Sequence, residues 1–333
     1  MKRIVSIVLL LGMLSLFLAS CDTAQYRDGM ELIESGEYEA AREVFESLGE
    51  YRDSKEILGR FVYMPTSVTF WNGGELYISE TLALGENNLP AHLVLADSEG
   101  DADTTYFEFD KKGNLEKESY TDYLGNTSVI TYLHDTSGKL IRETSTEPDG
   151  DSDVIDYLYH ENGSIYKMIR TSSAGRIYIT DYNYDLKGDL VKEIYTKSSG
   201  EQDITAYMYD AYGNLIKSTL TEHDGDTEST AYSYDENGNI TKAVFVDEDR
   251  ERYTYTYSYD GSNHVIKSVL TLPNGQKNVN DYIYDERGNL VEITCSARAY
   301  TSVKLQYELV YIPSGRPEAL TDLFENMLAP ERR

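Results

Sequence analysis

The chain has 333 residues, 40% of them apolar, which is room for one large or two ordinary domains with a packed core and excludes a disordered chain. Its 58 Asp and Glu against 30 Lys and Arg give a formal charge of −28, a field that repels a phosphate backbone, so no nucleic acid is expected as a partner. Tyrosine is over-represented, at 30 residues beside 8 Phe and 1 Trp, the mark of a short pattern copied many times.

The first element is a targeting segment. Lys2 and Arg3 precede an apolar run from Ile4 to Ala19, shorter than the roughly 20 residues of a membrane span, and the run ends in Leu18-Ala19-Ser20-Cys21. Residues 1–20 therefore read as a signal peptide. The ending resembles the lipobox of bacterial lipoproteins. That resemblance implies lipidation of Cys21, cleavage before it, and a chain held on the bacterial cell membrane by its acyl groups, facing outside the cytoplasm. The membrane is then one partner. The second cysteine, Cys295, would have no intramolecular partner, so stability must come from packing rather than disulfides.

Residues 21–60 carry the anchor and a helical segment. Tyr26, Met30 and Ile33 recur at i, i+4 and i+7, then Ala41, Val44, Phe45 and Leu48 at i, i+3, i+4 and i+7, with Gly36 between the two sets. Two helices folded on each other are expected. Gly29, Leu32, Gly36, Tyr38, Ala41 and Phe45 stand at the spacings of a tetratricopeptide unit, which the segment resembles. Asp53 and Glu56 have the spacing of a capping box on a further short turn. Residues 61–100 read as a degenerate β lead-in and cap, with Glu86-Asn87-Asn88-Leu89 echoing the turn described next.

Residues 101–300 divide into eight blocks of 25 without insertion or deletion. The thirteenth column reads Gly113, Gly138, Gly163, Gly188, Gly213, Gly238, Asn263 and Gly288. The seventh is Phe107 followed by seven tyrosines, and the ninth is aromatic except for His134. The tenth is Asp except for His160, and a second Gly closes most blocks. Asp followed by Gly three residues later suits a tight turn, because the carboxylate can accept bonds from backbone N–H groups and Gly can take φ > 0. The flanks, such as Ile204–Tyr209 and Leu215–Leu220, are β-branched and aromatic and read as strands. Each block is one β-hairpin.

The stretch Tyr207-Met208-Tyr209-Asp210-Ala211-Tyr212-Gly213-Asn214-Leu215 resembles the YD repeat of rearrangement-hotspot (RHS) proteins, teneurins and wall-associated proteins. In those families the repeats form a spiralling β-strip, which closes into a shell around cargo in large members. Eight blocks are too few for such a shell, so the expected fold is mainly β: an elongated, curved, antiparallel meander or spiral of eight hairpins with a small N-terminal helical hairpin. Residues 301–333 read as an incomplete ninth repeat containing Tyr307, then a capping helix carrying Leu320, Leu323, Phe324 and Leu328.

Chemistry is sparse. The sequence has no nucleophile elbow, zinc-protease helix, phosphate loop or dinucleotide turn, so the expectation is no enzyme, no catalytic residue, no cofactor and no metal. Asp101-Ala102-Asp103, Asp149 to Asp153 and Asp224-Gly225-Asp226 cluster oxygen ligands but lack a calcium-loop spacing and read as solvated turns. The candidate binding face is the pair of tyrosine columns, Tyr157, Tyr182, Tyr207 and Tyr232 with Tyr159, Tyr184, Tyr209 and Tyr234, which share one face of each strand. The competing reading makes the same rings the core of the curved sheet. Lys167, Lys192, Lys217, Lys242 and Lys267 are expected beside acidic columns as cross-strand ion pairs. The functional expectation is a lipid-anchored envelope repeat protein, acting as an adhesion or scaffold module toward a carbohydrate or protein ligand. The alternatives are an enzyme on envelope polysaccharide and an accessory or immunity partner of a secreted toxin.

Overall fold

The structure, a computed structural model, describes residues 22–85, 88–296 and 301–313. Cys21 and the C-terminal leucines of the expected capping helix lie outside these residues. Three helices come first: α1 (residues 22–35), α2 (Tyr38–Leu48) and α3 (Ser54–Leu58). The first two reverse at Gly36, whose φ is +80°, and cross closely because Gly29 has no side chain where Phe45 and Val44 approach. Phe45, Leu48, Ile57 and Tyr311 form the buried centre of this unit, with Tyr26, Met30, Ile33 and Val44 packed around it. The helical pair thus docks on a strand end; no second helical pair stacks on it among the described residues. The capping box is not formed. Asp53 makes no side-chain cap bond, and its carboxylate instead accepts a 2.7 Å bond from the Tyr26 hydroxyl, tying α1 to the turn before α3.

Twenty antiparallel strands follow, β1 (Phe61–Asn72) to β20 (Ser302–Tyr311), each paired with its chain neighbour. The segment before residue 101 supplies three strands, β1, β2 (Glu75–Leu84) and β3 (Pro90–Asp97). Residues 101–300 supply β4 to β19, two strands per 25-residue block. Within one block, β12 (Gln202–Tyr209) and β13 (Leu215–Thr221) pair from Ile204↔Thr221 to Tyr209↔Leu215, with a bulge between Met208 and Tyr209.

The expected open spiral is corrected here: the sheet closes into a 20-stranded barrel. β20 pairs with β19 on one side, and on the other with β1 over ten residue pairs, from Phe61↔Tyr311 to Trp71↔Ser302. Closure has a physical reason. An open sheet would leave β1 and β20 as long edges with unpaired N–H and C=O groups, and β20 satisfies both. The seam also holds the larger of the two buried apolar clusters among the described residues. Met64, Val68, Phe70, Leu82, Leu93, Val303, Leu305 and Val310 are buried there, joined by Phe107 and Phe109 from β4 and by Leu290 and Ile293 from β19. Residues from both sides of the seam meet in one cluster, so the face bearing the seventh and ninth columns is the inner face. The register advances two residues per two strands, as Lys192↔Ala206 leads to Ala206↔Thr219 rather than Lys217. That stagger tilts the strands by about 35°, within the usual range for barrels.

The Asp turns of the blocks share one pair of backbone bonds, and several add an Asn side chain. At Asp210 the carboxylate accepts backbone N–H bonds from Tyr212 and Asn214 at 2.8 and 2.9 Å, and the Asn214 amide donates to its second oxygen at 3.0 Å. These donors hold the Asp210 carboxyl below its ordinary range, the Asn214 side-chain bond contributing most. Gly213 sits at φ +90° with open space where a side chain would go, while Asn263 holds the equivalent place at φ +66°. Gly213→Val therefore meets no clash and should cost about 1–3 kcal/mol from backbone strain alone. Asn263→Val should cost less, because that turn already accommodates a Cβ. Thermal melts of the two variants check this; equal losses would refute the turn assignment.

Candidate binding surfaces

All eight candidate tyrosines lie on the inner face and are half-buried. The structure brings them together as two columns along the wall, and it gives each column a separate task. Backbone pairing between successive blocks stops short of the Asp turns: β11 (Leu190–Thr196) pairs with β12 only from Lys192↔Ala206 to Thr196↔Gln202. The carbonyl of Leu190 lies beyond the last rung, and the Tyr209 hydroxyl donates to it at 2.8 Å. The same bond, always 19 residues back, joins Tyr159 to Leu140, Tyr184 to Ile165, Tyr234 to Leu215, Tyr259 to Ile240 and Tyr284 to Val265, at 2.5–2.9 Å. The ninth column is thus a row of side-chain rungs that replaces the missing backbone rungs. The hydroxyl's partner was not readable from the sequence, although the fixed 19-residue offset was present in it.

Part of the seventh column, from Tyr132 to Tyr207, lies beside carboxylates that sequence reasoning missed. Tyr132 stands opposite Glu143, and Tyr182 opposite Glu193. The Tyr157 hydroxyl donates to Glu143 at 3.3 Å. Burial first, and then glutamates, Glu118 and Glu143 for Tyr132, Glu143 for Tyr157 and Glu193 for Tyr207, raise the phenol pKa values: Tyr132 and Tyr157 rise steeply, and Tyr207 goes up to about 12. Tyr307, near the seam, is pushed up to about 12 by burial, with Asp285 adding to it. The folded chain holds these phenolic protons more tightly than the unfolded chain does. The resulting stability is fully present below pH about 10 and is lost as pH rises toward about 12. Phenolate absorbance and circular dichroism should therefore change together in that window. Tyrosines that all titrate near 10 while the fold persists would contradict it.

The acidic turns are internally engaged. Asp153 takes an ion pair from Arg170 at 2.5 Å and a bond from the Ser173 N–H at 2.9 Å. Among the described residues one group has metal-ligand composition, Asp203, Glu222 and His223. The Lys197 ammonium stands 3.0 Å from Asp203 and 3.3 Å from His223 Nδ1, so a cation already sits among these ligands. A groove of about 660 Å³ lies between the α1–α2 turn, β2 and β20, lined by Tyr38, Leu84, Val310, Glu37, Glu39 and Glu308 among others.

On the outer face, Arg142 pairs with Asp156, Lys167 with Asp181 and Lys267 with Asp281, at 2.6–3.3 Å. The expected charge column is realised only in part. Lys192, Lys217 and Lys242 stand opposite Ala206, Ala231 and Thr256.

The hairpin with its Asp–Gly turn, and its tyrosine set against the preceding block, is the geometry on which the comparisons bear. Residues 209–247 match the RHS repeat. This stretch of the chain carries an RHS repeat. No curated protein matches its sequence. Among solved structures, the RHS-repeat chain is similar to one described as "TcdB2-TccC3-Cdc42", at 14% identity and a TM-score of 0.38, covering 79% of this chain and 18% of that one. It is also similar to a porin-like protein from Bacteroides uniformis, at 11% identity and a TM-score of 0.36, covering 74% of this chain and 98% of that one. The chain therefore spans less than a fifth of the TcdB2-TccC3-Cdc42 chain it matches.

Proposed function

We propose that this protein is a lipid-anchored, non-enzymatic module of a bacterial envelope, in which the RHS barrel is a rigid body that presents a surface to a carbohydrate or protein partner. The observation that supports this most is the row of tyrosine rungs. It makes the repeats a stiff wall and engages the most prominent aromatic groups in holding that wall together, which leaves the outer face to meet a partner. That face is built for water. Arg142–Asp156 and Lys167–Asp181 would each place a cation in hydrocarbon if the barrel were embedded in a bilayer, at about 2–4 kcal/mol per Lys or Arg near the midplane. A barrel standing off the membrane on acyl chains avoids that cost.

The anchor is tested at Cys21. Metabolic labelling with a fatty-acid analogue should mark the wild-type chain and leave Cys21→Ser unmarked, with the variant released from the membrane fraction. Equal labelling of both, or of neither, would remove the anchor from the proposal.

A further inference from the structure

The outer face of β11 to β17 differs from the rest of the molecule. Its outward residues, from Lys192, Ile194 and Thr196 on β11 to Lys267, Val269 and Thr271 on β17, include no Asp or Glu, in a chain whose formal charge is −28. The carboxylates of these strands, Glu193, Asp203 and Glu228, are on the inner side. The cations stay. Lys192, Lys217, Lys242 and Lys267 recur once per block, joined by Arg252, and only Lys267 has an acidic partner across the strand, at 3.3 Å from Asp281. Elsewhere the same column is neutralised, as Lys167 is by Asp181 at 2.8 Å. In three successive pairings Ala206, Ala231 and Thr256 stand opposite the lysine, at the place that Asp156, Asp181 and Asp281 hold in other blocks.

We propose that this face binds a sparsely charged anionic polysaccharide lying across the strands along the lysine row; the inference rests on the surface-binding reading above and names its ligand class. Two strand spacings and a two-residue stagger set successive lysines roughly 12 Å apart, so the row suits a polymer with well-separated anions rather than a dense polyphosphate. Between the lysines lie exposed Ala206, Ala231, Ser233 and Met208, small or apolar surface on which the C–H faces of sugar rings can rest, with Ser233 as a hydroxyl partner. The ends of the strands argue for a chain rather than a plane. Glu248 is crowded by Asp226 and Asp249, which raise its pKa, at one end, and the Asp210 and Asp235 turns lie at the other. An anionic membrane pressed on this wall would meet both acidic rims, whereas a linear polymer runs between them.

The test uses the full chain and hyaluronan, a polymer with one carboxylate per disaccharide, with dextran as a neutral control. At low salt the wild type should be retained on hyaluronan and pass dextran, and retention should fall as salt rises. The triple substitution Lys192→Gln, Lys217→Gln, Lys242→Gln should weaken binding more than tenfold. A second variant keeps the lysines and restores the acids: Ala206→Asp, Ala231→Asp, Thr256→Asp repeats the Lys167–Asp181 arrangement found elsewhere in the wall, and it should lose binding to the same extent with an unchanged melting curve. The proposal is overturned by unchanged binding in both variants, by equal retention on dextran, by absence of retention on hyaluronan, or by tighter binding to duplex DNA or to phosphatidylglycerol vesicles. None of these outcomes touches the envelope reading itself, which stands or falls on Cys21.

Discussion

Replacing Tyr207 with alanine should lower the unfolding free energy by about 2–3 kcal/mol, less than the 3–5 typical of a fully buried aromatic, because the ring is half-buried. The wall is one sheet thick over most of its circumference, so a seventh-column ring packs against its neighbours and the adjacent ninth-column ring, with its outer edge toward the lumen. A central block is the place to ask, since both neighbours complete its packing. Tyr209→Phe isolates the hydroxyl and should cost about 0.5–1.5 kcal/mol, the net worth of one bond to the Leu190 carbonyl. Chemical denaturation reads both, provided the slope is unchanged so that the midpoint reports stability. A Tyr207→Ala loss within the ±0.5 kcal/mol of an ordinary surface change would return the columns to the role of an exposed binding platform.

The largest effect is expected at the seam. Leu305 is 6% exposed and sits opposite Val68 in the one dense core of the barrel. Leu305→Asp puts an uncompensated charge there and should cost about 4 kcal/mol or more. The damage should also change the state of association, because a parted seam exposes β1 and β20, each able to pair with another chain. Light scattering during size-exclusion chromatography should show oligomers for this variant and a monomer for an outward control such as Thr219→Asp. A Leu305→Asp protein as stable and as monomeric as the wild type would mean that the barrel does not depend on this seam.

Both predictions concern interactions that reach beyond one repeat, and this divides what was legible from what was not. The hairpins are local objects. Asp210, Gly213 and the flanking β-branched and aromatic runs carry their own turn bonds and pleat, so strands β4 to β19 could be read directly from the 25-residue register. The helical pair is legible for a similar reason: the spacing of Tyr26, Met30, Phe45 and Leu48 makes one apolar face per helix, and those faces meet. The capping box was misread because two residues at the right spacing do not ensure the bond, and the Tyr26 hydroxyl takes Asp53 instead.

Closure was decided by tertiary structure. Eight similar hairpins say nothing about where a sheet ends, and the strands that end it, β1 and β20, lie outside the eight blocks, with Phe61 and Tyr311 separated by 250 positions in sequence yet paired. The tyrosine columns followed the same division. Composition and alternation determined that they share a face, but only the staggered ladder, which strips the Leu190 carbonyl of its backbone partner, decided that the ninth column bonds across blocks. The bare lysine row is legible as letters, Ala206, Ala231 and Thr256 in a column that holds Asp156, Asp181 and Asp281 in other blocks. That these letters share one outward face is a property of the closed barrel, because closure sends Glu193, Asp203 and Glu228 inward and leaves the cations facing water.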